Sequence, residues 1–130
     1  MIKKIITGVL ILGAIFFLLI RYRENALLQE LPPNTLIVFS QKGCGHCHRA
    51  LDYLNTEFKS RYPTVPVRVL DIGDRQNLAK LWTLLRRQKI PSDSVGTPVL
   101  VWNGRVHIGW NDNTPERLKR IIKTKIAKNP

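Results

Sequence analysis

The chain has 130 residues, enough for one domain of ordinary size and too few for two cores of useful volume. Apolar residues make up 44% and charged residues 23%, near the globular average, which excludes a disordered, collagenous or multi-span membrane protein. A formal net charge of +12 favours anionic partners such as lipid headgroups, nucleic acid phosphates or acidic proteins, and says nothing about chemistry.

The charge is unevenly spread. Residues 5–20, IITGVLILGAIFFLLI, carry none, while all 9 Asp and Glu and all but two of the 21 Lys and Arg lie beyond Ile20. The apolar run follows Met1-Ile-Lys-Lys4 and stops at Arg21-Tyr-Arg23. As a helix it reaches about 24 Å, slightly short of a hydrocarbon core of about 30 Å, and Lys4 and Arg21 make up the difference by snorkelling. The small residues that a cleavage site needs do not follow the run, so residues 1–21 read as an uncleaved signal anchor. Two lysines before it and two arginines after it tie the positive-inside count, and the N-terminal amine tips the expected orientation to N-in, C-out. The rest of the chain is then expected in the periplasm or an equivalent oxidising lumen, where cysteine pairs cycle as disulfides. Residues 22–34 read as a juxtamembrane linker, a short helix that breaks at Pro32-Pro33.

Residues 35–130 read as one α/β domain. Thr35–Phe39 is a β-branched and apolar run that fits a strand buried on both faces. Cys47, Ala50, Leu51, Leu54 and Phe58 then recur at helical spacing. Val65–Ile72 reads as the second strand, and Asp74 as the N-cap of a helix with Leu78, Leu81, Trp82 and Leu85 on its core face. Pro98–Trp102 and Arg105–Gly109 are strands joined by Asn103-Gly104, the strongest short hairpin signal. Thr114 is placed as the cap of a last helix that opens with Pro115 and carries Leu118, Ile121, Ile122 and Ile126 on one side. Helical connections imply parallel strands and the dipeptide turn an antiparallel pair, so the predicted sheet is mixed, four-stranded and covered by helices.

The only two cysteines form Cys44-Gly45-His46-Cys47, directly after the first strand and at the start of the first helix of the domain. A thiol in a first helical turn meets free backbone N–H groups and the positive end of the helix dipole, both of which favour the thiolate. Cys44 is the expected nucleophile. Cys47, one turn further in and on the apolar stripe, is expected to be buried and to attack a mixed disulfide formed at Cys44. A protonated His46 would add positive charge beside the thiolate and stabilise the reduced pair, making it a better oxidant.

LIVFSQKGCGHCHRA, followed about 50 residues later by VGTPVLVWNGRVHIG, resembles the thioredoxin superfamily, and its glutaredoxin branch more than thioredoxin itself, over roughly residues 35–125. That resemblance implies a thioredoxin-like fold, a cis bond at Thr97-Pro98 beside the cysteines, and a Thr97 backbone aimed at an extended substrate chain. The Gly-His dipeptide between the cysteines is similar to that of the protein disulfide isomerases. By the same resemblance, Lys42 and Thr97-Pro98 stand where glutaredoxin-like members bind glutathione. Where those members have a Gly-Gly turn, this chain has Gly109-Trp110. Trp110 would crowd glutathione, so protein disulfides are the expected substrate, Trp110 a substrate-contacting residue, and glutathione at most a reductant. The chain departs from the family by Gly43, where Trp is usual before the first cysteine. Leu36–Phe39 is also wholly apolar, where the family buries an acid that deprotonates the second cysteine.

Other readings attach to the same residues. Cys-x-x-Cys-His48 is also the attachment signature for c-type haem, with His107 the only strand histidine to supply a second axial ligand. Zinc would find at most three ligands in Cys44, Cys47 and His48, where a closed site needs four. A structural disulfide closing so short a loop stabilises little. The basic run Arg117, Lys119, Arg120, Lys123, Lys125 and Lys128 reads as a solvated helix face, or as contact with anionic lipid or an acidic protein, and no specific nucleic acid is expected. Trp82 reads as core, and Trp102 and Trp110, which flank the hairpin, each as core or substrate platform. The expectation is thus a membrane-anchored thiol–disulfide oxidoreductase with no bound cofactor or metal, recharged by a redox partner. A non-catalytic anchored adaptor using its basic face is the alternative.

Overall fold

A computed structural model describes residues 1–126, with side-chain surroundings for residues 1–123. Lys128 of the basic run lies outside the described residues. Helix α1, Ile2–Gln29, runs without interruption through the apolar segment and beyond it. The boundary at residue 21 therefore marks a change of surface and not of backbone. From Ile5 to Leu19 the helix is bare, whereas Leu28 and Leu31 pack against the domain. The juxtamembrane segment thus packs on the domain through these two leucines. Leu31 N–H closes the helix on the Leu28 carbonyl, and Pro32-Pro33 prevents its continuation.

Strand β1, Leu36–Ser40, is followed by α2, Gly45–Tyr53, a π-helical turn, Leu54–Phe58, and a last α-helical turn, α3, Lys59–Arg61. Strand β2, Val67–Asp71, leads into α4, Arg75–Arg87. A short 3₁₀ turn, Ser92–Ser94, precedes β3, Val99–Trp102, and β4, Arg105–Ile108, and α5 spans Thr114–Ile126. The sheet order is β2-β1-β3-β4, with β1 parallel to β2, and β3 antiparallel to both β1 and β4. The expected mixed four-stranded sheet is therefore present. Strand ends differ by a residue or two where prolines intervene. Pro66 and Pro98 have no N–H to give a ladder, so β2 and β3 begin just after them. Asn103 and Gly104 both have positive φ, 48° and 82°, the backbone that a two-residue hairpin turn requires.

Alternation along β1 and β3 divides the core into two layers. Leu36, Val38, Leu100 and Trp102 face Leu54 and Phe58 on one side together with Leu118 and Ile122 of α5. Ile37, Phe39, Val99 and Val101 face Leu81, Leu84 and Leu85 of α4, and Leu28 and Leu31 close the edge of that layer. Because α1 covers α4 from outside, the buried arc of α4 widens to include Lys80 and Thr83. Trp82, expected in the core, is 38% exposed. Trp102 is core, at 4%. Thr114 is not the cap that its sequence position suggests. The helix already includes it, and its hydroxyl accepts from Asn111 N–H at 2.9 Å instead of from the next helical turn.

Candidate redox site

The site forms where β1 leaves the sheet. Gly43, at φ 75°, bends the chain so that Cys44 N–H reaches the Gln41 carbonyl at 3.4 Å, and Cys44 becomes the N-cap of α2. Its backbone carbonyl accepts from His48 N–H at 3.2 Å, the first bond of the helix. Its sulfur accepts from Cys47 N–H, also at 3.2 Å. The sulfur thus takes the part that Ser or Asp usually plays at a helix N-cap, on an N–H group that no carbonyl of the helix can reach.

Cys44 and Cys47 are joined as a disulfide, with Cα atoms 5.2 Å apart. Cys44 is half-buried, while Cys47, on the apolar stripe of α2, is 2% exposed. The expected asymmetry of the pair is therefore present. On the other side of Cys44 stands Thr97. Its hydroxyl donates to Cys44 Sγ at 3.3 Å, and its carbonyl oxygen lies 3.5 Å from the same sulfur. The Thr97–Pro98 bond is cis, and Pro98 is buried. Two donors and the head of a helix converge on one sulfur, which lowers the energy of negative charge there.

A cavity of about 340 Å³ opens beside the pair, with Lys42, Gly43, both cysteines and His48 on its lining and Leu51 and Val69 as apolar walls. Lys42, His46 and His48 are exposed. The fold therefore brings Lys42, Thr97 and Pro98 to the cysteines. Trp110 takes the core alternative. It packs on Tyr53 with ring centroids 5.5 Å apart and leans on the core layer of Phe58 and Trp102. His107 is half-buried with Nε2 3.4 Å from the Thr114 hydroxyl, and burial, with Arg117 as a lesser cause, lowers its pKa from 6.5. A larger cavity, about 450 Å³, lies away from the cysteines between the end of α1, α4 and the β3–β4 turn.

One residue that sequence reasoning missed, Asp71, also lines the cysteine cavity. It ends β2 in register with Ser40, the last residue of β1, and its carboxylate accepts from Gly73 N–H at 2.9 Å. The signal was present: two parallel strands release their next residues at the same edge of a sheet, so an acid closing the second belongs beside a motif following the first.

The chain matches no protein-family model and no curated protein.

Proposed function

We propose that the chain is a membrane-anchored thiol–disulfide oxidoreductase that exchanges protein disulfides through Cys44 and Cys47. The observation that carries this reading is the setting of Cys44 Sγ: half-buried, at a helix head, with N–H and O–H donors aimed at it and a buried cysteine in bonding reach. The sheet type and the cis Thr97–Pro98 bond support a thioredoxin-like fold in the glutaredoxin manner. Helix α1 is long and apolar enough to cross a membrane, which supports the anchor.

In the reduced pair, Cys44 thiolate attacks a substrate disulfide, forming a mixed disulfide and expelling one substrate thiolate, which takes up a proton. Cys47, once deprotonated, attacks Cys44 Sγ and releases the second substrate thiolate. The substrate gains two electrons and the pair is left as the disulfide. Run in reverse, the same steps oxidise a substrate dithiol, and a partner dithiol, disulfide or glutathione resets the pair. Asp71 stands on the cavity that Cys47 shares, where its carboxylate takes the Cys47 proton through water and serves in place of the acid absent from β1. The Thr97 backbone beside the cysteines receives the substrate chain, Lys42 adds positive charge at the rim, and a protonated His46 would add it at the helix head.

Insulin reduction by the full chain is the direct test. Cys44→Ser should abolish turnover, Cys47→Ser should accumulate mixed disulfides, and Asp71→Asn should slow their release while leaving their formation unchanged. Parent-like turnover in both cysteine variants would leave only the anchored adaptor.

A further inference from the structure

From the contacts between α1 and α4, we infer a binding site for the headgroup of an anionic phospholipid at their seam. The inference rests on the membrane-anchor part of the proposed function and is independent of the disulfide chemistry.

A cavity of about 290 Å³ opens where the end of α4 meets the outer end of the apolar run. Its walls include Phe17 and Ile20, the last stretch of uncharged helix, and Arg21, Arg86 and Arg87 line the same space. Glu24 is the one carboxylate among the lining residues. Three cations are therefore gathered against one anion, at the level where the helix passes from apolar to charged. Arg86 is 68% exposed although it contacts Glu24 at 3.3 Å and the Thr83 hydroxyl at 3.5 Å, both through Nη2. Arg87 gives its own Nη2 to the Asn25 side chain, and Arg21 lies over the Phe17 ring at 5.1 Å. A guanidinium has five N–H donors, more than these contacts consume, and its planar fork suits a phosphate.

The apolar and cationic halves of this cavity match the two halves of a phospholipid. A phosphate among the three guanidinium groups leaves its acyl chains to run along Phe17 and Ile20 in continuity with the bilayer. The excess of cations selects a net negative headgroup over a zwitterionic one, whose ammonium the arginines repel. Such a lipid would bridge α1 and α4, adding to the Glu24–Arg86 pair and the Asn25–Arg87 hydrogen bond that already join them.

The test uses full-length protein, delipidated in neutral detergent and titrated with dioctanoyl phosphatidylglycerol, dioctanoyl phosphatidylcholine or inorganic phosphate, with retained adducts read by native mass spectrometry. The parent should prefer phosphatidylglycerol, and Arg86→Gln with Arg87→Gln should cost about fivefold in affinity per arginine removed. Arg21→Gln, which leaves the α1–α4 ion pair intact, should cost a similar factor, so the result does not hang on the docking of the double variant. Arg117→Gln with Lys123→Gln on α5 should change nothing. Equal binding of the two lipids, parent-like binding by the seam variants, or displacement of the lipid by equimolar phosphate would overturn the site. Release of the chain from membranes by alkaline carbonate would instead overturn the anchor itself, and insulin reduction by the same preparations reports separately on the cysteines.

Discussion

Replacing Thr97 by valine removes the hydroxyl that donates to Cys44 Sγ and keeps the bulk beside it. A hydrogen bond to a charged acceptor contributes roughly 1.5 to 3 kcal/mol, so alkylation of Cys44 at neutral pH should slow by roughly tenfold or more. The pH dependence of iodoacetamide alkylation in Cys47→Ser reads this directly, and an unchanged profile would leave the helix head alone responsible. His107 gives a second test at this scale. Its pKa is lowered in the folded chain, so the unfolded chain binds the proton more tightly. The stability tied to His107 is complete above pH 6.5, where both states are neutral, and is lost as the pH falls through the folded value. The His107→Gln variant should therefore lose less melting temperature than the parent between about pH 7 and about pH 5. Equal losses would show that other groups carry the acid sensitivity.

At the scale of elements, α4 shows how one helix can be read correctly in place and wrongly in orientation. Asp74 was legible as its N-cap, and it does accept from Gln76 N–H at 2.8 Å and Asn77 N–H at 3.1 Å. Asp74→Ala should cost about 1 kcal/mol in urea unfolding, with most of that restored in Asp74→Asn. A full loss in Asp74→Asn would point to charge instead of the hydrogen bonds. The periodicity of Leu81 and Leu85 gave the face on the sheet, whereas nothing local announced that α1 would cover Lys80 and Thr83. Lys80, 8% exposed along its side chain, is an ordinary surface residue by composition. It is buried where α1 packs on α4, and Glu30, the C-cap of α1, pairs with it. Trp82, expected in the core, is exposed instead. The π turn at Leu54–Phe58 was equally invisible, since Leu54 and Phe58 keep the apolar spacing whether or not one extra residue is wound between them.

For the whole molecule, the pairs Glu24–Arg86 and Glu30–Lys80 fix α4 antiparallel to α1, so the start of α4 points away from the apolar end of α1. The turn from β2 into α4 lies at that far end. Because β1 is parallel to β2, the cysteines that follow β1 lie there too. With residues 5–20 in a bilayer, helical rise places the disulfide on the order of 20 Å beyond the point where α1 emerges. Substrates of the proposed exchange would therefore be met in solution and not at the lipid surface. A fluorophore on Cys44 in Cys47→Ser should be quenched by iodide and untouched by nitroxide on lipid headgroups, whereas one at Tyr22→Cys, on a cysteine-free background, should respond to the nitroxide. Equal nitroxide quenching of the two probes would mean that the domain lies down on the membrane.

The local order of the chain was legible in the sequence because each element carries its own cue: the uncharged run 5–20, the apolar strand 36–39, the Asn103-Gly104 turn, and two cysteines at a helix head. The amino acids alone thus determined a helix apolar enough to cross a membrane, a mixed sheet and a cysteine pair of unequal burial. Only the tertiary structure decided that Leu28 and Leu31 pack on the domain, that Asp71 joins the cysteines, and that Trp110 packs on Tyr53. Those outcomes depend on contacts between segments tens of residues apart. Neither hydrophobic period nor local capping encodes the relative position of two such segments, which is set by the joint packing of the two core layers on one sheet.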